Sequence, residues 1–362
     1  MTHEPALHGN PDAQPAGAAL GGEALPYVQD PAWLPSEYDA RGDTLTFSRL
    51  PRATQRAAVF LDPRFIGNEP KSPPLAVADL PADVIARETG PLHFIFHTGF
   101  CCSTLLTRAL DLPGVAMGLK EPAVLASFAA FWTTGRRTPG ALSALETTLN
   151  LLSRPLAPGE TQIVKPSIVA NHIIPQMLHA RRDAKALVLC SSLDTFLRAI
   201  ARRGLDGRRF AREVFKQFAG VIPLDTGIRD EDLLLLTDLQ VAALGWLMQA
   251  EFMLQVAKRN GPGRVRVVNS DTFLNDKAGV LAALGTFFGL AGDGARWAQV
   301  AADPVFSEHA KEYGRAFDAA AQRAQYDAAG AAHAEELMKA KDWARALARR
   351  CGAPLVLDDT LL

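Results

Sequence analysis

The stretch LHFIFHTGFCCSTLLTRALD, Leu92 to Asp111, sets an apolar run against a turn of small side chains and then a stripe of apolar residues at helical spacing. Leu92 to His97 reads as a buried strand, because a short, nearly continuous apolar run is what a parallel strand covered on both faces requires. Small residues and hydroxyls crowd Thr98, Gly99, Phe100, Cys101, Cys102, Ser103 and Thr104, and Leu105, Leu106, Ala109 and Leu110 then open a helix over Ser103 to Asp111. A turn of this kind aims successive backbone N–H groups at one point, and the helix start adds about half a positive charge there. A phosphate or sulfate group suits such a place. A Walker loop would end in Gly-Lys-Ser or Gly-Lys-Thr, whereas two cysteines precede Ser103, which sets ordinary ATPase and kinase chemistry aside. The plain alternative is a strand-to-helix connection with a Ser-Thr cap.

Outward from this turn, short apolar runs alternate with longer helical stretches, the pattern of parallel strands joined by crossover helices. The strands are Leu92 to His97, Ala116 to Lys120, Thr161 to Val164, Ala186 to Cys190 and Arg264 to Val268. Helices are expected at Pro122 to Trp132, Ile168 to Arg181, Leu193 to Arg203, Leu233 to Lys258 and Asn275 to Phe288, with one or two more between Glu308 and Arg350. The expected organisation is a disordered tail over residues 1–30, an irregular cover over 31–90, an α/β domain over 91–305 and a helical C-terminal extension over 306–362. The fold class is α/β in three layers, with a parallel sheet of four or five strands.

A chain of 362 residues that is 48% hydrophobic and 21% charged can bury such a core. Its formal net charge of −1 argues against a surface built for nucleic acid, so any anion site is local. Four cysteines, two of them adjacent, do not make a disulfide framework. No apolar run reaches the roughly 18 residues of a spanning helix, and MTHEPALHGN lacks the pattern of a signal peptide. A cytoplasmic protein with no membrane span is expected. The histidines are scattered without ligand spacing, so no metal is expected.

The turn Thr98 to Leu106, the following Leu119-Lys120-Glu121-Pro122, and the late blocks Val268 to Leu274 and Leu284 to Leu290 resemble, in their order, the P-loop sulfotransferase superfamily. The resemblance covers roughly Pro91 to Lys311. It implies a fold like that of P-loop nucleoside triphosphate hydrolases and the cosubstrate 3′-phosphoadenosine-5′-phosphosulfate, whose 5′-phosphosulfate the first turn would grip. It also implies that a Glu or His after the second strand serves as base. Ser307-Glu308-His309-Ala310-Lys311 resembles the family's C-terminal segment that closes over the nucleotide, which makes His309 and Lys311 candidate ligands. Two departures stand out. Phe100 occupies the position of the family's bridging Lys or Arg, and Cys102 that of its glycine. The Arg and Ser that hold the 3′-phosphate in the family fall here on Cys190 and Arg198. Ser191, Ser192, Arg198, Arg202 and Arg203 offer a replacement set, in a segment, Arg181 to Lys216, with ten Lys/Arg against four Asp/Glu. Each arginine could equally belong to a solvated helix face.

Sulfuryl transfer needs an aligned donor, positive charge on the departing oxygen and a base for the acceptor. Lys120 and Lys165 sit at carboxyl ends of strands, where ligands of open α/β sheets bind, and are the candidate cations. Glu121 is the candidate base, although before Pro122 it could simply cap a helix. His97, at the end of its strand, is a rival base or a buried structural imidazole. The acceptor, a hydroxyl or amine on a small molecule, glycan or peptide, is not legible, and neither is the oligomeric state. Two other chemistries remain open. Cys102 and Arg108 have the C-x₅-R spacing of a cysteine-dependent phosphatase. The chain could also be a non-catalytic binder of a nucleotide or partner.

Overall fold

The computed structural model describes residues 21–136, 138–307, 324, 328 and 330–362. Three short strands come first: β1 (Trp33–Asp39), β2 (Thr44–Arg49) and β3 (Leu75–Ala76) form an antiparallel sheet in that order. Five more, β4 (Leu92–His97), β5 (Ala116–Lys120), β6 (Thr161–Lys165), β7 (Ala186–Cys190) and β8 (Val265–Asn269), form a parallel sheet in the order β5-β6-β4-β7-β8. The chain leaves β4 toward β5 on one side and, after β6, crosses to β7 on the other. The order therefore reverses at β4, and the carboxyl end of β4 is the place where open α/β sheets bind their ligands.

Alternation along the strands divides the core into two layers. Phe94, Phe96, Met117, Leu119, Val164 and Val188 face one layer, which is packed by the helices Ile174–Ala180, Leu193–Arg202, Gly204–Phe218 and Asp238–Asn260. Ile95, Ile163, Leu187, Leu189 and Val268 face the other, against the helices Ser103–Ala109, Lys277–Phe288 and Gly294–Ala301. This is the three-layer α/β class that the strand pattern predicts. The strand limits agree to within one residue, and β6 runs on to include Lys165.

The expected cover over 31–90 is not irregular. Its first two strands are offset by a bulge between Pro35 and Glu37, and β3 holds only two residues, so period-2 alternation is confined to Thr44 to Ser48 of β2, where Leu45 and Phe47 are buried. Tyr38 of β1 stacks on Phe128 with ring centroids 4.2 Å apart, which fastens this sheet to the helix Ala123–Thr133. The tail through residue 30 also needs correction, because Gly21–Gln29 is a helix with Ala24 and Val28 buried. Its carboxyl end is held by Arg154, whose guanidinium donates to the carbonyls of Tyr27, Val28, Asp30 and Trp33. The remainder, residues 1–20, lies outside the described residues. The helix expected from Leu233 begins instead at Asp238, behind a capping box of Thr237 and Gln240, while Leu233 to Leu235 belong to a 3₁₀ turn. Ile168 to Ala180 divides into a 3₁₀ segment and a helix that starts with Pro175 in its first turn. No helix is long and apolar enough to cross a membrane among the described residues.

Candidate functional site

After β4 the backbone enters the left-handed region three times in four residues, with φ of +85° at Gly99, +50° at Phe100 and +62° at Cys102. A fourth such residue, Glu121 at +53°, follows β5. Outside glycine this region costs on the order of 1–3 kcal/mol and persists only where surroundings enforce it. The enforcement is visible. Ser191, following β7, donates its amide to Thr98 Oγ1 at 3.2 Å and its hydroxyl to the Gly99 carbonyl at 3.2 Å, while Trp246 Nε1 donates to the Ser191 carbonyl at 3.1 Å. The helix Ser103–Ala109 then lies against β5 at Gly118, where a Cβ would stand 2.6 Å from the Thr107 carbonyl oxygen.

Within the turn, the amide and hydroxyl of Ser103 are directed at the Cys101 sulfur. Burial pushes this thiol above its ordinary pKa, so it stays a neutral thiol. Phe100 points outward. Its ring packs edge-on against Phe196 and Phe210, at 5.6 and 5.4 Å, and the Arg203 guanidinium lies 5.7 Å from its centre. A cation therefore borders the turn, carried by another helix terminus rather than by the turn itself. Ser103 and Thr104 are buried at the helix start, and the Ser103 carbonyl accepts from Thr107 Oγ1 at 2.8 Å.

Beside the turn stands a second group built by β5 and β6. Lys165 is fully buried and forms an ion pair with Glu121, whose side chain retains 20% exposure. Its ammonium also lies 5.3 Å from the centre of the Phe60 ring. His97 Nδ1 accepts the Gly99 amide at 3.2 Å, which assigns the ring proton to Nε2, where it points at the Pro166 carbonyl 3.1 Å away. Lys165 Nζ is 3.4 Å from that same Nε2 and packs against it without donating to it. Both ring nitrogens of His97 thus serve the backbone, and the residue acts as a joint between β4, β6 and the turn. Lys120 shares the register of Lys165, but its ammonium turns away to the Arg56 carbonyl at 2.8 Å. Burial lowers its pKa to about 8. It borders a separate cleft of about 400 Å³ with Arg56, Arg108 and Asp111.

The replacement arginines divide. Arg198 pairs with Asp194 at 2.6 Å, and Asp194 also takes Lys341 from the C-terminal helix Ala334–Cys351 at 2.6 Å. Gly330 comes so close to Arg198 Nη1 that a Cβ there would overlap it. Arg202 is exposed one turn of chain away, and Arg203 stacks on the turn. Ser192 caps the helix Leu193–Arg202 by accepting the Thr195 amide, and Cys190 is buried with its thiol 3.2 Å from Asn269 Oδ1. Burial raises the pKa of that thiol as well. His309 and Lys311 lie outside the described residues. The C-x₅-R pair does not close into a loop: Cys102 and Arg108 are separated by six helical steps, about 9 Å, and Arg108 lines the cleft of Lys120. No cluster of three His, Cys, Asp or Glu side chains is placed to hold a metal among the described residues.

The turn residues, His97, Glu121 and Lys165 thus come together, and Lys120 and Arg198 are turned elsewhere. Sequence reading missed Phe60 and Arg56. Both come from the N-terminal segment, where no local spacing signals proximity to a strand end far along the chain.

No family model and no curated protein matches this chain. Among solved structures it is similar to the sulfotransferase domain from the curacin biosynthetic pathway, at 14% identity and a TM-score of 0.41, over 74% of this chain and 99% of that one. It is also similar to the sulfotransferase domain from the Synechococcus PCC 7002 olefin synthase, at 13% identity and a TM-score of 0.38, over 65% and 83% of the two chains. A third likeness is to a sulfotransferase from Alicyclobacillus acidocaldarius, at 18% identity and a TM-score of 0.35, over 57% and 85%.

Proposed function

We propose that this chain transfers a sulfuryl group from 3′-phosphoadenosine-5′-phosphosulfate to a hydroxyl or amine acceptor. The observation that carries this reading is the Glu121–Lys165 ion pair, set at the carboxyl ends of β5 and β6 beside the left-handed turn that follows β4. A base and a cation in contact, next to a turn suited to an anion, are what the reaction asks of a protein. The motif order in the sequence adds to it.

In the proposed step the acceptor oxygen attacks sulfur as the bond from sulfur to the 5′-phosphate oxygen breaks. The electron pair leaves on that oxygen in adenosine 3′,5′-bisphosphate, and the acceptor proton passes to Glu121. Protonation cancels the carboxylate charge that holds Lys165, so the ammonium is released toward the negative charge growing on the departing oxygen. The Thr98 to Thr104 turn holds the phosphosulfate, and Arg203, stacked on Phe100, contributes charge from the rim. Arg202 is a further candidate for the 3′-phosphate.

One observation favours a second reading, a non-catalytic nucleotide binder: the Ser103 amide and hydroxyl turn to the Cys101 sulfur, and Phe100 stands where the family carries its cation. Calorimetry with adenosine 3′,5′-bisphosphate on the wild type, Arg198→Ala and Arg203→Gln tests both. Binding that weakens several-fold in Arg203→Gln and little in Arg198→Ala is expected. Absence of heat from the folded wild type overturns the donor assignment, whereas binding without turnover of labelled donor on any acceptor selects the second reading.

A further inference from the structure

The segment Phe60 to Ile66 of the N-terminal module reaches the mouth of this site and is fixed there by the main chain. The Leu61 amide donates to the Lys120 carbonyl at 2.6 Å, and the Leu61 carbonyl accepts the Ala123 amide at 3.0 Å, so Leu61 bridges the two sides of Glu121. One residue before Leu61, the Phe60 ring sits on the Lys165 ammonium. Asp62 caps the short helix Pro63–Ile66, which presents Phe65 edge-on to Phe60 with centroids 5.1 Å apart. Phe65 is 47% exposed although it lies on a capped helical turn beside ionic groups. Arg64 closes the rim, paired with Asp62 at 2.8 Å and 5.9 Å from the Phe65 ring centre. The hydrogen bond to Asp62 raises the Arg64 pKa above its ordinary value, and the Glu121 charge adds a smaller push in the same direction.

We propose that Phe60 and Phe65 form the acceptor shelf of the site, and that the acceptor is a flat aromatic compound whose hydroxyl reaches Glu121. The assignment rests on the transfer reading given above. The Phe65 ring, 47% exposed and braced at right angles on Phe60, offers an apolar face suited to stacking a third ring. The polar groups at the rim, Asp62 with Arg64 and Glu121 with Lys165, are engaged with one another. A sugar acceptor, by contrast, needs several fixed polar partners for its own hydroxyls. The aromatic body therefore binds on the shelf, and only the reacting hydroxyl meets a charged group.

The test is titration of 2-naphthol, followed by its fluorescence, against the wild type, Phe65→Ala and Phe65→Tyr with and without saturating adenosine 3′,5′-bisphosphate. Phe65→Ala should weaken naphthol binding about tenfold, the worth of a lost stacking contact, while Phe65→Tyr retains it and nucleotide affinity is unchanged in both. Equal naphthol affinity in the wild type and Phe65→Ala overturns the shelf, as does tighter binding of methyl α-glucoside than of naphthol. Phe65-dependent naphthol binding in a protein that takes up no nucleotide upholds the shelf and removes the transfer reading, so the two fail separately.

Discussion

Glu121 and Lys165 are joined twice: the Glu121 amide donates to the Lys165 carbonyl at 2.7 Å, and the Lys165 ammonium returns a hydrogen bond to Glu121 Oε1. The main-chain link extends the β5–β6 ladder by one residue, and the left-handed φ of Glu121 then swings its side chain over the end of β6. The ion pair is therefore an outcome of strand register and one strained residue, and both groups are placed before any ligand arrives.

From this pairing, Glu121→Gln should lower the transfer rate by about 10²–10⁴ while nucleotide binding is retained, because the amide keeps the shape and loses the basicity. Adding Lys165→Gln to it should cost little more, since the two groups act as a unit. Initial rates with labelled donor across the single and double variants check this. Additive losses would show that the two residues act separately.

The turn after β4 supplies a second expectation. Gly99 has φ +85°, and a Cβ there would come 3.2 Å from Ile168 Cδ1, so Gly99→Ala is both strained and crowded. A loss of about 1–2 kcal/mol in unfolding free energy is expected, together with weakened nucleotide binding. Urea denaturation and calorimetry on the same variant report the two effects. Unchanged affinity would detach the turn from the nucleotide site.

The central sheet was legible because β4 and β7 are buried on both faces and read as nearly continuous apolar runs, while β5, β6 and β8 keep short apolar stretches between turn signals. The antiparallel sheet was not, since the bulge at Pro35 and Glu37 breaks the alternation of β1 and β3 spans two residues, which leaves the short Thr44 to Ser48 alternation of β2 without a visible partner. Site residues divide in the same way. Glu121, Lys165 and His97 could be named because strand ends locate themselves in the sequence. Phe60 reaches Lys165 only through the pairing of Leu61 with Lys120 and Ala123, a contact that no local pattern encodes. The inward turn of the Cys101 thiol was equally hidden, because it depends on left-handed backbone at residues other than glycine.

Arg154 ties the first helix to the body of the protein. It is 3% exposed, burial lowers its pKa to about 10 so that it remains a cation at neutral pH, and it donates to carbonyls of Tyr27, Val28, Asp30, Trp33 and Leu151. Arg154→Met keeps much of the volume and leaves those acceptors without the guanidinium. A destabilisation on the order of 3 kcal/mol follows from unmade buried hydrogen bonds. Urea denaturation measures it, and limited proteolysis should show early cleavage between residues 21 and 33. A variant as stable as the wild type would assign the anchoring to Ala24 and Val28 instead.

His93, on β4, should make stability depend on pH below neutrality. Its Nε2 faces the Phe288 carbonyl at 2.9 Å and its Nδ1 accepts the Lys185 amide at 3.1 Å, an arrangement that only the neutral ring satisfies. Burial lowers its pKa from the ordinary 6.5 to about 4. Between these values the unfolded chain binds a proton that the folded chain refuses, so stability falls as the pH drops from 6.5 toward 4. The gap corresponds to on the order of 3 kcal/mol. His93→Gln can keep a donor and an acceptor but cannot titrate. It should be less stable than the wild type at pH 7, and the difference should shrink steadily on acidification. Denaturation midpoints at several pH values decide this: parallel curves for the two proteins would mean that His93 is charged in the folded state or titrates as it does in the unfolded chain.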